Sequence, residues 1–467
     1  MKDSKYKLLI SNTLLFAIGN LIVKLISFFL MPLYTTVLTT EQYGIAELLN
    51  NAIEIIMPIA SLCIVDALYR FSIDKNTDHT ILFTNSLLII VLGDVCVFLG
   101  CFVWRFIIGY KYAFYFFLLY FTATLYRLTT QFARGLNHVK KFVFYGIVNA
   151  SLLIFANYIL LVVFKGGISA YLLSFSIGYG IAGIIAFILS NEYQYLKFKY
   201  YNLSWLKEML QYSLPGIPNM LSWWINSLSG RYVILFYWGA EITGLYAAAS
   251  KLPAMINIAT SIFQQAWQYS TATEIDSIDN KTFFSNVFRV YTYICISFCS
   301  IIIVINKPIC SILLKSDFYI SWKYVPVLLL AATFGCISTY FGTFYNAIKN
   351  NKMLMLSTMC GAAVNIILNF LLIPEFRALG ASISMAISYF FIMIIRIFDV
   401  RKFIDLNINA KLIMLQFSIL LISVYAGCLE CNLSFFLPVL CTIMILLSDY
   451  QLILYGLNFI KRRLNYK

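Results

Sequence analysis

The sequence predicts an all-α polytopic membrane protein with about 14 transmembrane helices. Hydrophobic residues make up 61% of the 467 residues and charged residues only 12%, and the mean hydropathy is +0.83. A soluble domain is about half apolar and about one quarter charged. Windows of about 20 mostly apolar residues, long enough to cross the hydrocarbon core as a helix, recur along the whole chain. No stretch has the alternating polarity of barrel strands, so helices are the predicted element.

The predicted spans follow one another with short connections. In chain order they cover residues 11–35, 43–68, 81–104, 113–133, 143–164, 167–190, 211–237, 242–270, 284–306, 324–347, 353–373, 379–399, 411–428 and 432–457. The first span has a basic start and an apolar run, as a signal peptide does. It continues through Lys24 to Pro32 without a small-x-small cleavage site. We therefore interpret it as a retained first helix.

The net charge of +14 is mainly a topology signal. If the N-terminus is cytoplasmic, roughly 20 basic residues fall in inside connections and about 7 in outside connections. This bias predicts an even number of spans with both termini in the cytoplasm. Because the basic residues are spread over short connections, we expect no nucleic-acid partner.

An internal repeat is visible in short loop segments. Two pairs of segments match at an offset of about 200 residues, namely Glu41-Gln-Tyr-Gly44 with Glu241-Ile-Thr-Gly244, and Asn157-Tyr-Ile-Leu-Leu with Asn369-Phe-Leu-Leu-Ile. Chance similarity between apolar segments is the alternative explanation. Two agreeing offsets favour a true repeat.

The repeat predicts the domain organisation. Six spans separate the copies, and an even number gives both halves the same orientation in the membrane, so the repeat is parallel. We predict two six-helix lobes around a central cavity. The N-lobe (spans one to six) covers 1–200 and the C-lobe (spans seven to twelve) covers 201–405. Spans thirteen and fourteen, with a basic cytoplasmic tail, cover 406–467.

Polar side chains form stripes on the first two spans of each lobe. The residues at helical spacing are Asn20, Lys24 and Ser27; Glu47, Asn51, Glu54, Pro58 and Ser61; Asn219, Ser222, Asn226 and Ser229; and Ser250, Lys251, Asn257, Ser261, Gln264 and Gln268. Such residues at membrane depth usually face a cavity or a partner. Pro58 and Pro253 lie inside equivalent spans and are predicted bending points, as are Pro215 and Pro218 at the start of span seven.

The sign of the charge on these stripes indicates the cargo. Lys24, Arg231 and Lys251 are cationic, and with Glu54 and Asn51 they are the candidate substrate-binding residues. A cavity lined by lysine and arginine favours an anion such as phosphate or pyrophosphate. Two alternatives remain open: Lys24 pairs with Glu54 structurally, or Arg231, near a span end, extends to the membrane interface.

Glu47, Asp66 and Asp94 are the candidate residues for proton or sodium coupling. Asp94 either couples an ion or pairs with Arg127 across two spans, and Arg396 with Asp399 is predicted to be interfacial at the end of span twelve. No Gly-rich phosphate-binding loop is present, so we expect no direct use of ATP. The 11 cysteines are scattered, and one CxxC (Cys428 to Cys431) with two histidines predicts no metal site and no cofactor.

The motifs together resemble the polysaccharide transporter family of the MOP superfamily, which includes the Wzx-type O-antigen flippases. The resemblance extends over essentially the whole chain, and the segments that carry it are Tyr212-Ser-Leu-Pro215-Gly-Ile-Pro218-Asn, Gly230-Arg231-Tyr232, Gly239-Ala-Glu241-Ile-Thr-Gly244-Leu-Tyr246-Ala-Ala-Ala-Ser-Lys251, Thr40-Glu41-Gln42-Tyr43-Gly44 and Ala133-Arg134-Gly135. It implies two six-helix lobes plus two helices, with cavity cations at Lys24, Arg231 and Lys251.

The resemblance also implies the activity. Family members move undecaprenyl-pyrophosphate-linked oligosaccharides across the bacterial inner membrane by alternating access, for O-antigen or capsule synthesis. The implied partners are this lipid-linked sugar, membrane lipids, a polysaccharide polymerase and glycosyltransferases.

Other functions are less consistent with the sequence. The related lipid II flippase has more arginines in span one, and the drug-exporting MATE branch typically has an acid there and about 12 spans. A membrane glycosyltransferase, ligase or polymerase needs a sizeable extramembrane loop, whereas no connection here exceeds roughly 20 residues. We therefore expect no enzyme. A cation-coupled small-molecule exporter of the same fold is the main alternative.

Overall fold

The computed structural model describes residues 29–73, 77–274, 280–348, 351–430 and 433–450. Within these ranges every long element is a helix, which confirms the predicted all-α class. Seven helices are long and apolar enough to cross a membrane, and an eighth span results if one bent pair counts as a single span. On the faces of these helices that do not pack against other helices, many large apolar side chains are exposed, as lipid-facing residues are.

The chain divides into two compact units, Met1–Trp224 and Ile225–Lys467. The helices of the first unit are α1 (Met31–Val37), α2 (Thr40–Ala60), α3 (Ile64–Ser72), α4 (His79–Phe106), α5 (Ala113–Gly135), α6 (Val139–Asn157), α7 (Gly167–Leu189) and α8 (Leu203–Ser213). A π-helical turn, Tyr158–Val163, extends α6. The predicted domain boundaries, at residues 200 and 405, stay predictions.

The boundary between the units falls inside α9 (Gly216–Ala249). The second unit continues with α10 (Ala254–Glu274), α11 (Asn280–Val304), α12 (Asn306–Leu313), α13 (Val325–Ala347), α14 (Asn351–Val400), α15 (Ala410–Gly427) and α16 (Leu433–Ser448). Two of these helices contain a sharp kink, at Gly239 in α9 and at Arg377 in α14, so each corresponds to two successive helices of the predicted set.

The predicted spans after the first overlap these helices, with boundaries that differ by several residues, and residues 451–457 of the last predicted span lie outside the described residues. Residues 11–28 of the first predicted span lie outside the described residues. The short helices α8 and α12 were not predicted, because their amphipathic sequences are shorter than a span. The helix α8 is separate from α9 because Pro215 has no amide proton to continue the helix, and Asn202 caps its N-terminus.

The bend predicted near Pro58 is confirmed. The helices α2 and α3 meet at 68°, and the residues between them include Leu62 and Cys63 with φ of 51° and 53°. Pro58 removes one backbone donor from α2, which weakens the helix one turn before the break. A second break, also predicted, separates α9 from α10 at Pro253.

The C-terminal half of the kinked α14 returns against the N-terminal half through a tight reversal. Arg377 has φ of 53°, and its guanidinium lies 4.3 Å from the ring of Trp238. A Cβ on Gly380 would lie 2.4 Å from the carbonyl oxygen of Leu372, so only glycine permits this close approach.

Candidate functional site

A buried carboxylate in the first unit is surrounded by hydroxyl and amide donors. Glu47 on α2 is only 2% exposed. Its carboxylate accepts hydrogen bonds from the Tyr43 hydroxyl at 3.1 Å, the Tyr171 hydroxyl at 2.9 Å and the Asn51 amide at 3.4 Å. Three donors of this kind stabilise a charge that lipid or apolar protein would otherwise disfavour.

The sequence builds this group from three helices, α1, α2 and α7. Tyr43, Glu47 and Asn51 follow one another at i, i+4, i+8 on one face of α2, and Tyr171 on α7 completes the group. The ring of Tyr34 packs on Tyr171 with 5.0 Å between centroids. We call these five residues the Glu47 cluster. An acid held this way can carry a proton or a cation, which is the chemistry that ion coupling needs.

Asn51 therefore belongs to the Glu47 cluster and is buried with it. The sequence pointed to Glu47 and Asn51 through the polar stripe but could not supply Tyr171, which lies 124 residues further along the chain. The prediction that Asn51 contacts cargo stays a prediction.

A cavity of about 400 Å³ lies next to this stripe, within the first unit. We call it the α2–α5 pocket, and its polar and aromatic walls are Asn50, Glu54, Tyr126, Arg127, Gln131, Phe142 and Tyr179. The rings of Tyr126 and Tyr179 lie 5.5 Å apart with 37° between their planes. The predicted substrate-binding residue Glu54 thus lines a pocket of the size typical for small ligands.

The Arg127 side chain in this pocket bridges the break between α2 and α3. One guanidinium nitrogen is 3.1 Å from the Asp66 carboxylate on α3, and the other is 3.6 Å from the Met57 sulfur on α2. The predicted pairing of Arg127 with Asp94 is wrong, because Asp66 takes that position. Asp94 instead accepts a hydrogen bond from Thr124 at 3.2 Å. Roles of Asp66 and Asp94 in ion coupling stay predictions.

In the second unit, Arg231 reaches the break before α10. The side chain is 7% exposed, and its guanidinium donates to the Ser250 hydroxyl at 2.8 Å. This burial against protein disfavours extension to the membrane interface. Ser250 directly precedes Lys251, so the two predicted cations of this unit are brought to the same break. The third predicted cation, Lys24, lies outside the described residues.

A network of neutral polar residues joins α9, the helix that carries Arg231, to α14. Ser229 on α9 bonds Asn365 at 3.0 Å and accepts from Asn369 at 3.2 Å, and both asparagines lie on α14. Ser388 donates to Asn226 at 2.8 Å. The sequence indicated the α9 stripe, whereas the partners on α14 could have been found only from the i, i+4 spacing of Asn365 and Asn369.

Arg396 is not interfacial, contrary to the prediction. It is 1% exposed, and its guanidinium donates to the Ser357 hydroxyl and the backbone carbonyl of Ser338 at 3.0 Å and to the Thr358 hydroxyl at 2.9 Å. These acceptors come from α13 and from the N-terminal half of α14, so one side chain joins three helical segments. The prediction failed because position near a span end does not reveal the small polar residues opposite.

The fold and these buried polar groups define a class of protein. The computed structure is similar to the lipid II flippase MurJ in an inward closed conformation, with a TM-score of 0.73, 16% identity and coverage of 95% of this chain and 99% of that one. It is also similar to a multidrug resistance MATE family transporter of the MOP superfamily, inward-facing, with a TM-score of 0.64, 13% identity and coverage of 82% and 94%. A MATE transporter from Vibrio cholerae is similar with a TM-score of 0.58, 14% identity and coverage of 86% of this chain and 98% of that one. At these identities the similarity establishes the fold, that of MOP-superfamily flippases and transporters.

The sequence itself identifies the family. Residues 9–268, more than half of the chain, match the profile described as polysaccharide biosynthesis protein. The chain therefore belongs to this polysaccharide biosynthesis family, which confirms the predicted resemblance. No curated protein sequence matches it. It is a multi-pass membrane protein of a transporter fold.

Proposed function

We propose that this protein moves a polyprenyl-pyrophosphate-linked oligosaccharide from the cytoplasmic to the outer leaflet of a bacterial inner membrane by alternating access. In this proposal both termini are cytoplasmic, and the cargo serves surface polysaccharide synthesis, such as O-antigen or capsule. It receives cargo from glycosyltransferases and delivers it to a polysaccharide polymerase. The protein acts as a transporter and not as an enzyme.

Buried Arg231, fixed at a break in the helices beside Lys251, is the observation that carries the proposal. Burying a guanidinium inside a membrane protein costs free energy, so such a group usually marks a binding site for a substrate or an ion. Pyrophosphate is a strong, multidentate hydrogen-bond acceptor and matches the guanidinium fork. Family membership in polysaccharide biosynthesis makes a sugar-bearing pyrophosphate the matching anion.

The physical task agrees with this assignment. An oligosaccharide carries many hydroxyls, and stripping each of water without a replacement partner costs roughly 2–7 kcal/mol. A hydrated, polar path through the protein removes much of this cost while the polyprenyl tail stays in lipid. In the proposal, Lys24, Arg231 and Lys251 bind the pyrophosphate, Glu54 and Asn51 contribute polar contacts, and Glu47 carries the coupling ion.

A second candidate is a cation-coupled exporter of small organic cations. The Glu47 cluster favours it, because a buried acid among tyrosine rings is a typical environment for a cation. The buried cation Arg231 argues against it, since a positive wall repels such a cargo.

The test reconstitutes the protein in liposomes with a fluorescent polyprenyl-pyrophosphate oligosaccharide and measures its movement between leaflets. Wild type is compared with Lys24→Ala, Arg231→Ala and Lys251→Ala. Lys411→Ala is the matched control, because this lysine is exposed at the start of α15. We expect transport by wild type and the control and a loss of at least ~tenfold in the other three. Equal transport by all variants would rule out a pyrophosphate site at these three residues.

A further inference from the structure

We infer that the α2–α5 pocket is a subsite for a sugar ring of the cargo. The inference rests on the proposed function and names the part of the cargo that this pocket holds. The pocket is lined by residues of the first unit alone, whereas Arg231 belongs to the second unit.

The walls of the pocket have the two features that a sugar ring requires. A sugar ring has an apolar face of C–H groups, and hydroxyls at its edge that both donate and accept hydrogen bonds. The half-buried rings of Tyr126 and Tyr179 supply aromatic surface. Asn50 and Gln131 supply amides that donate and accept, and Arg127 adds donors in a fixed plane.

Among the described residues, the acidic and basic side chains at the pocket are equal in number, which favours a neutral ligand. Glu54 and Asp66 are acidic, and Arg127 is basic. The guanidinium of Arg134 lies 5.7 Å from the ring of Phe142, which forms part of the wall. Two acids and two bases give no net attraction for an organic cation or for a second phosphate, whereas a polyhydroxylated ring uses both kinds of group.

The ion pair with Asp66 holds the Arg127 side chain in place and uses only part of its N–H donors. The Arg127 side chain is 32% exposed and that of Asp66 is 44% exposed, so the two groups do not enclose each other. Exposed pairs of this kind contribute little to stability. The Asp66 carboxylate and the Met57 sulfur fix the guanidinium plane, which leaves its remaining N–H donors oriented for a ligand.

The experiment compares two lipids in the same liposomes. One is the lipid-linked oligosaccharide extracted from cells that produce the protein, and the other is the same polyprenyl pyrophosphate without sugar. We expect Tyr179→Ala and Arg127→Gln to slow the movement of the glycosylated lipid at least ~tenfold more than that of the sugar-free lipid. Phe187→Ala, on the same helix as Tyr179 but outside the pocket, is the control and slows neither lipid selectively.

Two results would overturn the subsite. One is an equal loss for both lipids in the Tyr179 and Arg127 variants. The other is full recovery of glycosylated-lipid transport in the double variant Asp66→Arg with Arg127→Asp, because this swap restores an ion pair but not a guanidinium at position 127.

Failure of the proposed function has a different signature. Wild type would then move neither lipid. Binding of the released oligosaccharide to the detergent-solubilised protein, measured by calorimetry, separates the two claims. Binding that Tyr179→Ala abolishes supports the sugar subsite even in a protein that moves no lipid, and wild-type protein that binds no oligosaccharide contradicts it.

Discussion

Single buried charges carry most of the functional argument, and each is held by neutral donors or acceptors. Glu47 accepts from two tyrosines and an amide, and Arg396 donates to two serines and a threonine. Hydrogen bonds of this kind offset part of the free-energy cost of burying a charged or polar side chain. The two residues nevertheless have different expected roles, and substitution separates them.

Replacement of Glu47 by glutamine tests ion coupling. The amide keeps the shape of the side chain but cannot bind or release a proton, and it is a weaker cation ligand. We expect Glu47→Gln to fold and to lose the acceleration of transport by an imposed proton or sodium gradient. Glu41→Gln, in the exposed first turn of the same helix, should respond as wild type does. An undiminished gradient response in Glu47→Gln would exclude the cluster from coupling.

Replacement of Arg396 tests a structural role. Arg396→Ala leaves acceptors on two helical segments, α13 and the N-terminal half of α14, without their donor, and we expect a loss of about 2–4 kcal/mol of stability. Lysine should not rescue it, since one ammonium cannot reach acceptors that the planar guanidinium fork bridges. The measurement is thermal unfolding in detergent, with the exposed Arg401→Ala as control. A melting temperature equal to that of wild type would contradict this account.

Glu192 predicts a pH dependence of stability. It follows α7 outside the span, is completely buried, and receives no hydrogen bond from described residues. Burial raises the pKa of this carboxyl from 4.5 to about 9, and the nearby Lys141 offsets only part of the effect. The acid is therefore protonated in the fold and ionised in the unfolded chain near neutral pH.

The sign of the effect follows from this difference in pKa. The contribution of Glu192 to stability is complete below pH 4.5 and is lost progressively as the pH rises towards 9. Glu192→Gln removes the titration, so its stability relative to wild type should increase between pH 5 and pH 9. Melting temperatures across this range check it, and parallel curves for the two proteins would refute it.

At the scale of elements, the breaks in the helices matter most. The sequence predicted the bends at Pro58 and Pro253 because proline has a fixed local effect. It did not predict that Arg127 bridges the first break, because that contact depends on how α5 packs beside α2 and α3. The sequence therefore predicts local effects such as a proline bend, but it does not predict which side chains pair between helices.

Pro58 provides the test at this scale. Pro58→Ala restores a backbone donor to α2 and should stabilise a straighter helix, so we expect equal or higher thermal stability with transport slowed several-fold. Pro438→Ala is the matched control, because Pro438 also lies inside a helix but at no described break. Unchanged transport in Pro58→Ala would mean that the bend is only architectural.

At the scale of the whole molecule, each of the two units contains its own group of buried polar side chains. Asn157 and Asn369, matched by the sequence repeat, are both buried, and each donates its amide to an acceptor within its own unit. The spans, the family and the MOP-type fold were predictable because hydropathy and short motifs are local signals. The Glu47 cluster of the first unit and the amide network of the second unit could not be predicted, because their members come from helices that are distant in the sequence.

One measurement tests the central claim most directly. Purified wild-type protein in liposomes is given, in parallel, a fluorescent polyprenyl-pyrophosphate oligosaccharide and a fluorescent organic cation, with and without a proton or sodium gradient. Our account predicts that the lipid-linked oligosaccharide changes leaflet and that the organic cation is not transported. Movement of the cation against the gradient, with no movement of any glycosylated lipid, would contradict the account and establish a small-molecule exporter instead.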